Sequence, residues 1–231
     1  MRYKQALSLL DGAMPWSIVR ATLAGLSDLC ITLGVLILLF LVYLLSWTSV
    51  VAHRSAAADV CQLTRQWNQS PTPVAALRPA PGKAFATLRI PGIRNPVTWP
   101  VLDGVNQAQL IQGIGWFPTT GLPGRPGNFA VAAHRRTWGD MFRYLNEVKT
   151  GDVIEVQEGQ QTFAYRVIEN PVYVPPTAID VLNPLPGHSG LTQAGTYITL
   201  TTCDPVYNAY RRLIVFGVLT AERSGTVKTL C

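Results

Sequence analysis

A long uncharged stretch near the N-terminus limits what this 231-residue sequence can fold into. No charged residue occurs from Leu29 to Ala52, and the centre of the stretch, residues 31–45, is mostly Leu, Ile, Val and Phe. A helix of roughly 20 apolar residues crosses the hydrocarbon core of a bilayer, so the stretch predicts one transmembrane helix over residues 29–52. Tyr43 and Trp47 suit the outer interface, where aromatic rings are enriched.

A cleaved signal peptide is the alternative interpretation, because Ser55–Ala58 offers small residues for cleavage. The apolar run is longer than the roughly 7–15 residues of a signal-peptide core, and it starts well inside the chain. We therefore predict a retained, single-pass anchor. Charge alone does not decide its orientation, because Arg54 and Arg65 follow the span nearly as closely as Arg20 precedes it.

Residues 53–82 are rich in Ala and Pro and are interpreted as a stalk. Ser70–Pro73 and Pro79–Gly82 have the proline spacing of an extended, semi-rigid tether. Ala56–Trp67 is also compatible with a short helix. The stalk is expected to separate the anchor from the remaining residues, 83–231.

In residues 83–231 the pattern changes to short strands separated by Gly, Pro and Asn turns. Such spacing is typical of a closed or nearly closed β-barrel, and the segment is long enough for that core. Helices are predicted over Gly139–Val148, where apolar residues recur at helical spacing, and over Val105–Gln112. The predicted strands cover residues 85–90, 96–102, 128–133, 152–157, 162–174, 197–202 and 212–220.

The composition argues against several kinds of site. The net charge is +6 and only 14% of residues are charged, without basic runs interleaved with aromatics, so nucleic-acid binding is not indicated. No Cys-x-x-Cys pair occurs among the four cysteines, Cys30, Cys61, Cys203 and Cys231. Their spacing therefore indicates neither a metal site nor a disulfide framework. Cys61 and Cys231 could meet outside the membrane, but no sequence feature argues for their pairing. The carboxylates are scattered, so we predict no metal and no cofactor.

Cys203 has the surroundings of a reactive thiol. The strand Tyr197–Thr202, rich in β-branched residues, leads to it, and Asp204-Pro205 ends the strand. Arg212 begins the next strand, and a nearby cation favours the thiolate, which is the nucleophilic form. His134, at the end of an upstream strand, is the candidate proton donor and acceptor.

Two segments resemble one known family. TLTTC (Thr199–Cys203), followed by an arginine and an apolar strand, resembles the sortase signature. LPGRPGNFAVAAHR (Leu122–Arg135) resembles the histidine strand of the same family, with Ala133 in place of the usual glycine. The similarity extends over residues 84–221. Within the family, Val172–Pro186 and the single long anchor are most similar to class E.

The resemblance implies an eight-stranded β-barrel with short helices and a cysteine transpeptidase of the Gram-positive cell envelope. Cys203, His134 and Arg212 take the catalytic positions. Arg211 is the rival of Arg212, but the family's arginine directly precedes the Leu-Ile-Val run, which selects Arg212. The resemblance also implies that residues 1–28 are cytoplasmic and that the catalytic domain is extracellular.

The resemblance implies two partners. The first is a secreted protein with a C-terminal Leu-(Ala or Pro)-X-Thr-Gly signal, which is cut between Thr and Gly. The second is an acceptor amine on a peptidoglycan precursor or a pilin. Many class E relatives have a tyrosine, linked to the Ala-containing signal, where this sequence has Phe117 within Gly115–Thr120. Ala and Pro therefore both stay open. Phe117 and Thr202 are the candidate substrate-binding residues.

Two other functions are compatible with the residues. One is a non-catalytic envelope β-barrel that binds extended peptides at a sheet edge. The other is a thiol hydrolase that releases its product rather than joining it to an amine.

Overall fold

The structure is a computed structural model that describes residues 16–69, 79–205 and 208–225, together with Val227 and Cys231. The Pro-rich motif Ser70–Pro73 lies outside the described residues. The chain divides into two compact units, Met1–Ser46 and Trp47–Cys231.

Helix α1, Trp16–Gln69, is 54 residues long and supplies the described part of the first unit. Among the described residues, Trp16–Tyr43 is the one helical stretch long and apolar enough to cross a membrane. Almost all of its Leu, Ile, Val and Phe side chains are exposed, as expected of a surface that faces lipid rather than a protein core. This stretch and the predicted span, 29–52, share residues 29–43.

The second unit begins with the remainder of α1, which packs on the barrel. Ala52, Ala56, Val60 and Leu63 are buried, and their spacing of four, four and three residues places them on one helix face. Alanine at two of these positions lets the helix backbone approach closely, and Ala56 joins the main hydrophobic core. Residues 53–69, interpreted from the sequence as the start of a stalk, are thus helical and packed.

The C-terminus is tied to the same part of α1. Cys61 and Cys231 form a disulfide, with their Cα atoms 4.9 Å apart. The side chain of Asn68 donates a hydrogen bond to the Val227 carbonyl (2.9 Å) and accepts one from the Val227 N–H (3.2 Å). The sequence left this pairing open because the two cysteines are 170 residues apart.

The described part of the second unit also contains nine strands, helix α2 (Gln107–Gln112) and two 3-10 helices, Leu145–Glu147 and Ile179–Leu182. The strands are β1 Ala84–Arg89, β2 Trp99–Asp103, β3 Ile114–Trp116, β4 Gly127–Ala132, β5 Val153–Glu158, β6 Gln161–Val167, β7 Val172–Val174, β8 Thr196–Asp204 and β9 Arg211–Ser224.

Within the described residues, eight of the strands form a closed ring. Their order is β6-β5-β1-β2-β3-β4-β8-β9, and β9 pairs again with β6. The pairs β2–β3 and β4–β8 are parallel and the others are antiparallel, so the sheet is mixed. The predicted closed barrel with short helices is confirmed.

Strand β9 closes the ring because it is long enough to serve three neighbours. It pairs with β8 over Arg211–Val218, with β6 over Gly217–Ser224, and with the short β7 over Arg212–Ile214. Its buried run Leu213–Gly217 faces the interior and the region under β7. The position of its first residues is therefore fixed from both sides.

Two predicted elements differ from the structure. The predicted helix over Gly139–Val148 is a series of turns followed by a 3-10 turn, because Trp138, Gly139 and Asp140 all have positive φ, which no right-handed helix permits. Met141 and Leu145 are nevertheless buried. The predicted strand over residues 162–174 is interrupted between β6 and β7, where Pro171 has no N–H for a ladder.

Candidate active site

Three strand ends meet at one end of the barrel because of how β4, β8 and β9 pair. β4 and β8 are parallel, with Ala132 opposite Thr201, so both strands end at the same edge. β9 runs antiparallel to β8, so it begins where β8 ends. His134, Cys203 and Arg212 lie at these three ends, although they are far apart in sequence.

A cavity of about 340 Å³ opens at this edge. Its lining includes His134, Cys203 and Arg212, and also both predicted substrate-binding residues, Phe117 and Thr202. Most of the remaining lining is apolar. It consists of Val105, Leu110, Ala132, Ala133, Val174, Pro176, Ala178, Ile179, Val181, Leu182, Thr201 and Ile214.

The pairing register separates Arg212 from Arg211. Cys203 is opposite Arg212, and residues directly opposite each other in an antiparallel pair project to the same face. Arg211 is opposite Asp204, so it projects to the other face. Arg212 also donates from Nη1 to the carbonyls of Ala209 (3.0 Å) and Arg211 (3.2 Å), which orients its guanidinium at the mouth of the cavity.

His134 follows β4 by two residues and is held mainly through its backbone. Its carbonyl accepts a hydrogen bond from the Phe142 N–H (3.0 Å). Burial lowers the pKa of the imidazole below its ordinary value of 6.5, so the neutral form dominates at neutral pH. Its Nε2 is buried, and none of the described residues gives it a hydrogen-bond partner. A buried nitrogen without a partner is uncommon in proteins, and such groups often have a catalytic role.

Thr202 borders the cavity but uses its hydroxyl internally. The hydroxyl donates to the Ala133 carbonyl at 2.7 Å, and the side chain is buried. This bond ties the strand that carries the thiol to the segment that carries the imidazole. The neighbouring Thr201 also lines the cavity, which the sequence analysis did not anticipate.

The wall formed by residues 174–182 was also missed. These residues belong to the end of β7, to the 3-10 helix Ile179–Leu182 and to the turn between them, all within the long connection from β6 to β8. Long connections in compact domains are often functional, so the connection length was the available signal.

Asp204 contributes a buried charge cluster directly behind the cavity. Its Oδ1 accepts a hydrogen bond from Arg135 Nη1, and its Oδ2 accepts one from Arg211 Nε at 2.6 Å. The sequence analysis treated Asp204 only as the residue that ends a strand. Among the described residues, no three His, Cys, Asp or Glu side chains are close enough to hold a metal ion.

Comparisons with known proteins agree with this geometry. The family model described as the sortase domain matches residues 88–220. Sortase SrtE1 of Streptomyces coelicolor is 35% identical over 206 residues, covering 86% of this chain and 57% of that protein. Sortase SrtE2 of the same organism is 30% identical over 218 residues, covering 89% of this chain and 85% of that protein. The chain thus spans little more than half of the length of SrtE1.

Two solved structures share the barrel. Sortase E from Streptomyces avermitilis has a TM-score of 0.58 at 35% identity, covering 66% of this chain and 99% of that chain. Sortase E1 from Streptomyces coelicolor was solved with a tripeptide in the active site. It has a TM-score of 0.59 at 34% identity, covering 67% of this chain and 100% of that chain. The family model, the identities and the common barrel establish that this chain belongs to the sortase family, whose members are cysteine transpeptidases.

Proposed function

We propose that this protein is a membrane-anchored sortase of class E that cuts a Leu-(Ala or Pro)-X-Thr-Gly signal between Thr and Gly and transfers the acyl part to an envelope amine. The supporting observation is that His134, Cys203 and Arg212 line one cavity at the edge of the barrel. Secreted proteins with a C-terminal sorting signal are the first substrates. A peptidoglycan-precursor amine or a pilin amine is the acceptor.

The first half of the reaction forms a thioester. The sulfur of Cys203 attacks the threonine carbonyl while its proton passes to the neutral imidazole of His134. The carbonyl oxygen becomes negative in the tetrahedral intermediate, where the Arg212 guanidinium stabilises it by hydrogen bonds and charge. When the C–N bond breaks, the imidazolium returns the proton to the leaving glycine amine.

The second half uses the same groups in reverse. The acceptor amine attacks the thioester carbonyl, and His134 removes a proton from the amine nitrogen. The intermediate collapses with loss of the Cys203 thiolate, which regains its proton from the imidazolium. The net change is the exchange of one amide for another, so no oxidant, reductant or cofactor is consumed.

The lining of the cavity fits an apolar peptide. Phe117 and Ile179 offer apolar surface, and Val105 and Leu110 add to it. A sorting signal presents a leucine and then Ala or Pro, which are apolar groups of different size. The solved sortase E1 with a tripeptide in its active site supports a peptide-binding role for the corresponding region.

The location we propose is the cell membrane, with one span and the catalytic unit outside. The helical stretch Trp16–Tyr43 supports the span. The disulfide between Cys61 and Cys231 supports the outward orientation, since disulfides persist in oxidising compartments and are rare in the cytosol. The test is protease or thiol-reagent accessibility of the barrel in intact cells, and protection of the barrel from both would contradict this orientation.

The reaction is tested with the full chain in detergent and with two peptides that differ only in Ala or Pro at the second position of the signal. We expect an acyl adduct on Cys203 in the intact mass, cleavage between Thr and Gly, and neither in Cys203→Ala. Addition of an amine should divert product from the free acid to the amide, which distinguishes transfer from hydrolysis. Absence of both adduct and cleavage with each peptide would refute the proposal.

A further inference from the structure

One carboxylate connects the three strand ends from the side away from the cavity. The side chain of Asp204 is 6% exposed and bonds to Arg135 and Arg211. Asp204 directly follows Cys203, Arg135 directly follows His134, and Arg211 directly precedes Arg212. Each member of the cluster is therefore the chain neighbour of one proposed catalytic residue.

The cluster lies behind the cavity rather than in it. Successive side chains of a strand point to opposite faces, so Asp204 projects away from the face of Cys203, and Arg211 away from that of Arg212. The described residues that line the cavity do not include Asp204, Arg135 or Arg211. A contribution of Asp204 to the reaction would thus be exerted through the neighbours that it fixes.

Both arginines are held by further contacts. Arg135 donates from Nη2 to Asn146 Oδ1 at 3.0 Å, and its side chain is 10% exposed. The Arg211 guanidinium lies 4.1 Å from the centroid of the Tyr173 ring. Desolvation by burial, together with the nearby Arg211 charge, lowers the pKa of Arg135. The carboxylate of Asp204 offsets this repulsion by lying between the two cations.

The segment that carries His134 depends on such contacts because it is outside the strand ladder. β4 ends at Ala132, and beyond it the backbone is held by a few single bonds, such as Ala133 N–H to the Thr201 carbonyl (3.2 Å). The Arg135–Asp204 pair is a charged contact of this segment. Removing one partner of a buried ion pair leaves an uncompensated charge, which displaces the segment that carries it.

We propose that Asp204 is a positioning residue that holds His134 and Arg212 in place around Cys203 through Arg135 and Arg211. This inference rests on the proposed function, since it assigns Asp204 a part in the same reaction. A displacement of about 1 Å at a catalytic group can cost about 10²-fold in rate, so the effect is large if the inference holds.

The test compares Asp204→Asn with a matched carboxylate-to-amide change, Glu155→Gln. Glu155 pairs with Arg89 at 3.5 Å across β1 and β5, with both side chains well exposed. For Asp204→Asn we expect kcat per folded molecule to fall about 10²-fold, with KM changed by less than about threefold, because the cavity lining is intact. Glu155→Gln should match the unchanged protein. Dividing by the folded fraction, measured by denaturant unfolding, corrects for the misfolded molecules that a purely structural role would produce.

A second readout does not depend on peptide cleavage. The rate constant for alkylation of Cys203 at neutral pH, followed by peptide mass to separate it from Cys30, should fall about tenfold in Asp204→Asn, because a displaced imidazole is a poorer acceptor for the thiol proton. A charge effect alone would speed alkylation, because two guanidiniums without their counter-charge attract the negative charge that develops on the sulfur. An unchanged or faster alkylation would overturn the inference, even if the unchanged protein cleaves no peptide and the proposed function fails.

Arg211→Gln covers the case in which Asp204→Asn does not fold. The Arg211 side chain is 39% exposed, so its loss disturbs the fold less and leaves the Arg135–Asp204 pair. We expect a smaller fall in kcat, about tenfold, and the double variant should be no slower than Asp204→Asn. A rate for Arg211→Gln equal to that of Glu155→Gln, or fully additive losses, would contradict the inference.

Discussion

The cavity face of the barrel edge and the face behind it differ in the hydrogen bonding of one buried polar group each. On the cavity face, His134 Nε2 is buried, and no described residue is its hydrogen-bond partner. On the face behind it, the Asp204 carboxylate bonds to two arginines. Folding favours paired buried groups, so the unpaired His134 Nε2 costs stability, as does Arg135 Nε behind the cavity, which also has no hydrogen-bond partner among the described residues. In the proposed function, the first face receives the substrate and the second holds the strand ends in place.

The largest expected effect separates two adjacent arginines. Arg212→Lys keeps a positive charge but loses the planar fork that can donate to the oxyanion, so kcat should fall about 10²–10³-fold. Arg211→Lys, on the opposite face, keeps an ion pair with Asp204 and should cost less than about tenfold. Steady-state cleavage of a sorting-signal peptide measures both. Equal losses would break the distinction between the two faces.

The disulfide between Cys61 and Cys231 is outside the cavity lining, so its loss should lower the stability of the fold without changing the rate of the reaction. Cys61→Ser combined with Cys231→Ser should lower the free energy of unfolding by about 2–4 kcal/mol, because the disulfide closes a long loop. The kcat at room temperature should be unchanged, since neither residue lines the cavity in the described part of the chain. Denaturant unfolding followed by Trp fluorescence measures the first quantity.

Cys30→Ser is the control for that pair, because Cys30 is a free thiol on the exposed stretch of α1. Its midpoint of unfolding should equal that of the unchanged protein. A fall in kcat for the disulfide variant at temperatures where it is folded would contradict this prediction, because it would show that the disulfide also affects the reaction.

The pH dependence sharpens the account of the cavity face. Burial lowers the pKa of His134, so the imidazole stays neutral to a lower pH than an ordinary histidine does. Activity that needs the neutral base is present above the lowered pKa and is lost as pH falls through it. The acid limb of kcat/KM against pH should therefore have its midpoint below 6.5. A midpoint above that value would contradict the assignment of His134 as the base.

The smallest expected effect concerns the apolar wall. Phe117→Tyr adds one hydroxyl to a ring that lines the cavity, with little change in shape. If the family's tyrosine favours the Ala-containing signal through that hydroxyl, the ratio of kcat/KM for the Ala peptide over the Pro peptide should rise, by about tenfold at most. The matched variant Phe117→Leu keeps an apolar wall and should leave the ratio near its starting value.

The residues that line the cavity were easier to predict from the sequence than the contacts behind it. Cys203 and His134 were recognisable because each follows a strand with a family signature, and the pairing of β4 with β8 brings those ends together. Arg135 and Asp204 are 69 residues apart and belong to no local pattern, so their contact is readable only after folding. The disulfide could not be predicted for the same reason, because Cys61 and Cys231 are 170 residues apart and belong to no local pattern.

Local backbone conformation explains the error at residues 139–148. The apolar spacing was correct for burial, but Trp138 and Asp140 adopt left-handed φ on either side of Gly139 and prevent the helix. Burial of an apolar residue follows from its spacing, whereas three consecutive positive φ angles depend on tertiary packing.

The bond between Cys61 and Cys231 turns the catalytic unit into a covalent ring that includes β9 and Arg212. A protease that cuts one exposed loop inside this ring breaks the chain without releasing either fragment. The two pieces stay joined to α1, and with it to the apolar stretch Trp16–Tyr43. In the envelope location that we propose, a nicked molecule would therefore stay on the cell instead of being shed.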